Sequence, residues 1–193
     1  MVGLEFLAVF VRDDMPSLSP LFILAVLRGL EVLLLVVCGP KSSPVPLARI
    51  MRETLVLASF LIAAGTLVLF LWKAIVGWPL IETVRDMPRL SGFALLTFYL
   101  TACVLSPIAE EFVFRRLIYR SGRAYWNALV CTAMVSLLFG LLHQHFNAQF
   151  LVPFLGSVIF CLAYEKIKSI ITPILLHMIG NMTIYLASLP ALT

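Results

Sequence analysis

Apolar residues run along this chain in long stretches, interrupted by short clusters of charge rather than by regular alternation. A bilayer core takes about 20 apolar residues per helix. Counting generously at the ends, six stretches reach that length: 17–38, 54–72, 92 into the glutamates at 110–111, 125–142, 148–164 and 173–189. Thr172-Pro173 opens the last one well, with threonine as cap and proline at the first helical position. The pattern predicts an all-α fold, a polytopic transmembrane bundle of about six helices. With no internal repeat or low-complexity segment, it reads as one domain over 1–193 with its motif core at about 92–190. Glu5 breaks the apolar run before Pro16 and no basic segment precedes it. That argues against a cleaved signal peptide and for a short interfacial helix ending at Pro16.

Composition strengthens the membrane reading. Of 193 residues, 62% are hydrophobic and 12% charged, with a mean hydropathy of +1.05. Soluble domains carry about 25% charged residues, so a soluble class is excluded and membrane lipids are the expected surroundings. The net charge of +4 does not signal nucleic acid, because lysine and arginine gather in the cytoplasmic loops of membrane proteins. With six spans, the connections after the first, third and fifth carry Lys41, Arg49, Arg52, Arg115, Arg116, Arg120, Arg123, Lys166 and Lys168. The other side holds Arg12, Lys73, Arg85 and Arg89. This bias places both termini outside the cytoplasm. Cys38, Cys103, Cys131 and Cys161 lie in separate apolar runs without metal-finger spacing and read as buried apolar residues.

Ionisable groups inside a membrane cost about 2.5–3.5 kcal/mol each at a helix centre and mark functional sites. Three segments hold them. In Glu110-Glu111-Phe-Val-Phe-Arg115, Glu111 and Arg115 stand four apart on one helix face and can pair. Glu110 points about 100° away, with its carboxylate left for other work. Pro107 is expected to kink the helix beside the acids, and Arg116 and Arg120 to snorkel to water. The second segment is Phe139-Gly-Leu-Leu-His143, followed by His145, which reads as interfacial. The third is His177-Met-Ile-Gly-Asn181, an imidazole and a carboxamide on one face. The last pair suits either an interhelical clasp or a catalytic site. Arg28 and Glu31, three apart in the first helix, read as a local pair.

A carboxylate and a histidine can jointly take a proton from water, and imidazole and carboxamide N–H groups can hold a developing oxyanion. The residues therefore suggest hydrolysis of a carbonyl compound with water as the nucleophile. Geometry raises one difficulty. At about 1.5 Å per residue from a turn near Gly122, Glu110 lies about 18 Å and His143 about 32 Å along their helices. They meet only if the fourth helix starts late or tilts.

The three segments, in order, resemble the CAAX-protease and bacteriocin-processing family of intramembrane proteases, whose pattern is EExxxR, FxxxH and HxxxN. All three stand here at Glu110-Glu111-x-x-x-Arg115, Phe139-x-x-x-His143 and His177-x-x-x-Asn181. The resemblance implies that Glu110 with His143 activates water, that His177 with Asn181 forms the oxyanion hole, and that Glu111 with Arg115 shapes the site. It implies an intramembrane endopeptidase in a prokaryotic inner membrane, acting on a protein or peptide anchored near its C-terminus. A peptide-processing or sorting enzyme fits this chain better than a eukaryotic-style CAAX enzyme. A Glu/His/His cluster could hold zinc, but Asn181 favours a glutamic-type protease without metal or cofactor. The alternative is a non-catalytic immunity or scaffold protein using the same cluster as structural glue. A proton-coupled transporter is disfavoured by the lack of repeat symmetry.

Overall fold

The computed structural model describes residues 20–38, 44–76, 92–143 and 150–188. Among them every regular element is a helix, with no strand. The helices are α1 (Pro20–Cys38), α2 (Leu47–Val76), α3 (Gly92–Gly122), α4 (Ala128–His143), α5 (Leu151–Ile167) and α6 (Ile171–Ser188). Each corresponds to one of the six apolar stretches. The interfacial helix expected before Pro16, and His145, lie outside the described residues.

Among the described residues, two helices are long and apolar enough to cross a membrane, Leu47–Leu67 within α2 and Gly92–Gly122 as α3. At 16 residues, α4 is shorter than its sequence run, reaching about 24 Å against a hydrocarbon core of about 30 Å. The outer faces are apolar and exposed: Val37 by 70%, Phe60 by 68% and Leu129 by 79%. Soluble monomers do not leave such surface in water, whereas lipid chains would solvate it.

The third helix is central, packing against α1, α4, α5 and α6. Phe114 and Tyr119 of α3 pack on Cys131, Val135 and Phe139 of α4 and Cys161 of α5. Phe98, Ala102 and Cys103 pack on Tyr185 of α6. Ala58 of α2, Phe160 and Ala163 of α5 and Leu176 of α6 form a third cluster. The sites of greatest polarity lie where these clusters meet. Cys103, Cys131 and Cys161 are free and buried, as their apolar context implied.

Two wide-turned stretches of α3 flank the segment that holds Pro107. Thr101–Leu105 and Phe112–Tyr119 are π-helical, flanking a short α-helical piece, Ser106–Glu111. The Ser106 N–H donates to the Thr101 carbonyl, and the Arg120 N–H to that of Arg115, both five residues back. Such wide turns insert a residue into a helix and occur frequently at functional sites.

At the C-terminal end of α3, Glu165 of α5 accepts from Tyr119 Oη at 3.0 Å and from Arg123 Nη2 at 3.2 Å. Lys166 Nζ bonds Glu53 of α2 at 2.8 Å. Arg28 and Glu31 pair at 2.6 Å, as their spacing suggested.

Close approach of α4 and the start of α5 depends on Gly140. A Cβ there would stand 2.6 Å from Phe150 Cε2 and 3.0 Å from Cζ, well inside contact distance, and Phe150 is buried. Gly140→Ala should therefore destabilise the protein by about 1–3 kcal/mol through overpacking. Adding Phe150→Leu should recover much of the loss. Thermal denaturation of the purified variants in detergent checks both expectations.

Candidate active site

Arg115 lies in the last third of α3 and is wholly buried, as is Glu111 one turn before it. Four-residue spacing puts both on one face, and Arg115 Nη1 donates to Glu111 Oε1 at 2.9 Å. Arg115 Nη2 crosses to α5, donating to Ser157 Oγ at 2.7 Å and to the Ser157 carbonyl at 3.1 Å. The guanidinium carbon stands 5.0 Å from the Phe139 ring centroid and 5.3 Å from that of Phe160, within cation–π range. A buried charge is tolerated only when paired and hydrogen-bonded, and three helices contribute to meeting that requirement here.

Glu111 Oε1 also receives the Nδ1–H of His177 at 2.9 Å. One oxygen of Glu111 thus joins α3 to α6. The His177 ring stacks on Phe160 with centroids 5.0 Å apart and planes 24° apart. It meets the edge of Phe139 at 5.8 Å.

His143, the last residue of α4, has Nδ1 2.7 Å from the Phe139 carbonyl. A carbonyl only accepts, so Nδ1 carries the hydrogen and Nε2 is turned to the site. The ring stacks on Phe139 at 4.0 Å and 21°, which is the spatial meaning of the Phe-x-x-x-His spacing. His143 Nε2 lies 3.3 Å from Glu110 Oε2. His177 Nε2 approaches the same oxygen at 3.8 Å. Instead of standing alone, Glu110 therefore faces both imidazoles, and the contact with His143 is a hydrogen bond only with one proton held between them.

The difficulty of helix length resolves locally. The fourth helix begins at Ala128, after a turn over 123–127, rather than at 125. Counted from Ala128, His143 lies about 22 Å along, against about 18 Å for Glu110 above Gly122. The two therefore reach nearly the same height.

Asn181 follows His177 by one turn, and its Nδ2 donates to the Ala102 carbonyl of α3 at 2.8 Å. One N–H of the carboxamide is thereby used for an interhelical clasp; the NH₂ group has a second. Arg116 departs from the snorkelling expectation, being buried with its guanidinium carbon 5.5 Å from the Phe112 ring centroid. Arg120 is exposed, as expected.

The structure joins Arg115, Glu111, His177, Glu110 and His143 in one chain of polar contacts, with Asn181 on the same α6 face as His177. It adds Ser157 and Phe160, which sequence reasoning passed over. They stand three apart and so share a face of α5, but a serine and a phenylalanine in an apolar helix carry no distinguishing signal. Among the described residues, no group of three or more His, Cys, Asp or Glu could hold a metal ion.

Comparison with known proteins finds similarity over the segment that carries this constellation. Residues 92–183 match the family model described as type II CAAX prenyl endopeptidase Rce1-like. That stretch contains all six residues named from the sequence. Over 91 residues the chain is 33% identical to the membrane-embedded CAAX protease MroQ of Staphylococcus aureus (strain USA300). The alignment covers 44% of this chain and 36% of that relative, so the chain spans little more than a third of the relative's length. No solved structure matches the chain significantly.

The buried pair generates a stability prediction. Arg115→Met leaves the Glu111 carboxylate without its cation and should cost about 3–5 kcal/mol. Combining it with Glu111→Gln should cost less than the two single losses together, because the pair is removed as a unit. Chemical or thermal denaturation of the four proteins of that cycle measures the difference.

Proposed function

We propose that this chain is an intramembrane endopeptidase that hydrolyses a peptide bond of a membrane-associated or C-terminally tagged protein, with water as the nucleophile. The observation that carries the reading is the convergence of His143 Nε2, at 3.3 Å, and His177 Nε2, at 3.8 Å, on one oxygen of the buried Glu110. The Rce1-like match over the same residues supports it.

In this mechanism Glu110 and His143 together take a proton from water as its oxygen attacks the scissile carbonyl carbon. The same pair returns the proton to the amine nitrogen as the C–N bond breaks. Phe139 holds His143 in the tautomer whose Nε2 faces Glu110. The oxyanion of the tetrahedral intermediate takes hydrogen bonds from His177 Nε2 and from the second N–H of Asn181. Because His177 Nδ1–H is committed to Glu111, Nε2 donates only from the doubly protonated ring. Glu111 and Arg115 act through His177 as positioning residues.

The chemistry uses side chains and water alone, in keeping with the donor geometry, so the enzyme is read as glutamic-type. Its setting is read as a multi-pass bundle in a bacterial inner membrane, with the six helices as spans. The substrate is read as a protein anchored close to its C-terminus, and C-terminal sorting tags are the first to try, ahead of lipidated termini.

One observation favours a second reading, a non-catalytic membrane scaffold. The Asn181–Ala102 bond is an interhelical clasp of the kind that holds membrane helices together. The two readings separate in Glu110→Gln and His143→Ala. For a protease, the membrane proteome of cells carrying either variant should retain uncut C-termini, while both proteins insert and fold. A reduction in single-turnover rate of about 10²-fold or more is expected from loss of the general base. Normal processing by either folded variant would sink the protease reading.

A chelator provides an independent check. Activity of the purified protein in detergent should be unchanged after extensive treatment with 1,10-phenanthroline. Loss of activity on chelation, with recovery on adding zinc, would replace the glutamic-type mechanism with a metal-dependent one.

A further inference from the structure

The carbonyl that Asn181 occupies has a definite origin. Along Thr101–Leu105 the backbone bonds run five residues back, with the Ser106 N–H donating to the Thr101 carbonyl. The next donor in that register, for the Ala102 carbonyl, is residue 107. That residue is proline, which has no N–H. Ala102 is buried, as is Pro107, so no bulk water stands in for the missing donor. A buried carbonyl requires a partner, and Asn181 Nδ2 supplies it from α6 at 2.8 Å.

We infer that Pro107 is a positioning residue for Asn181: by withholding a backbone donor it keeps the Ala102 carbonyl open, and that carbonyl orients the Asn181 carboxamide beside Glu110, His143 and His177. The consequence for chemistry rests on the protease reading above, in which the second N–H of Asn181 serves the oxyanion. An amide rotating about its side-chain torsions would present that N–H only part of the time. Held at one N–H by a fixed carbonyl, the planar carboxamide has its other N–H fixed as well. Three atoms from three roles are thereby linked: a missing proton on α3, a spare acceptor five residues back, and a donor delivered from the last helix.

The test is a stability cycle, combined with kinetics. Pro107→Ala restores an N–H at residue 107, which can bond the Ala102 carbonyl and release Asn181. In the native background Asn181→Leu leaves that carbonyl buried and unpaired, and should lower the Tm in detergent. In the Pro107→Ala background the same substitution should lower the Tm measurably less. Equal Tm losses in the two backgrounds would overturn the inference, whatever the protein's activity.

Kinetics addresses the orientation. Pro107→Ala should keep or raise the Tm, since alanine suits a helix interior better than proline. Its kcat should nonetheless fall by about tenfold or more with KM changed by no more than about twofold, because an oxyanion donor acts in the transition state. A purely structural proline would give the opposite sign, with activity per folded molecule unchanged. A native kcat in Pro107→Ala would therefore overturn the positioning role even with a non-additive cycle. Absence of hydrolysis by the unmodified protein would count against the protease reading, and the stability cycle would still decide whether Pro107 controls the clasp.

Discussion

A guanidinium in the interior of an apolar helical bundle is the constraint around which this molecule is organised. Arg115 is excluded from solvent, and the desolvation of an arginine is too large to be met by one contact. The chain meets it from three directions: a carboxylate on its own helix, a serine hydroxyl and carbonyl on α5, and two phenyl faces, from α4 and α5. Each of those elements is thereby fixed relative to α3. Once Glu111 is held, its Oε1 sets His177, and once Phe139 and Phe160 are held, both histidines have a surface to lie on.

The two phenyl rings do the same job, each for one histidine. Phe139 contacts both Arg115 and His143, and Phe160 contacts both Arg115 and His177. A hydrogen bond at Nδ1 fixes where an imidazole points but leaves rotation about that bond; a stacked ring restricts the rotation. With both restraints acting on each histidine, the two Nε2 atoms are directed at one oxygen of Glu110 without any bond between the histidines themselves. The polar centre is ordered by an apolar frame, and the frame is attached to the charge at its middle.

The sequence made much of this legible, because helical spacing acts within a single segment. Six helices were readable from apolar runs, and the Glu111–Arg115 pair and the shared face of His177 and Asn181 followed from four-residue separations. What spacing could not show was contact between segments. Ser157 and Phe160 look like ordinary residues of a greasy helix until Arg115 and His177 are beside them. Arg116 looked like a residue that would reach for water, yet α3 buries it against Phe112. The late start of α4, on which the meeting of Glu110 and His143 depends, is a matter of a few residues in a turn, where apolar runs give no sharp boundary.

The π-helical turn at Thr101–Leu105 carries a consequence for how this segment varies in length. Ala102 and Glu111 both bond α6, yet on a plain α-helix residues nine apart stand about 180° from each other, on opposite sides. One residue absorbed by a wide turn reduces the effective separation to eight, or about 80°, and both can then address the same neighbour. The site is thus encoded partly as a count. Removing one residue between Ala102 and Glu111 would leave every side chain in place by name and still change which of them shares a face with Ala102. A one-residue gap in this segment of a related sequence should accordingly be read as a change of architecture, where a gap in a surface loop would be mere drift.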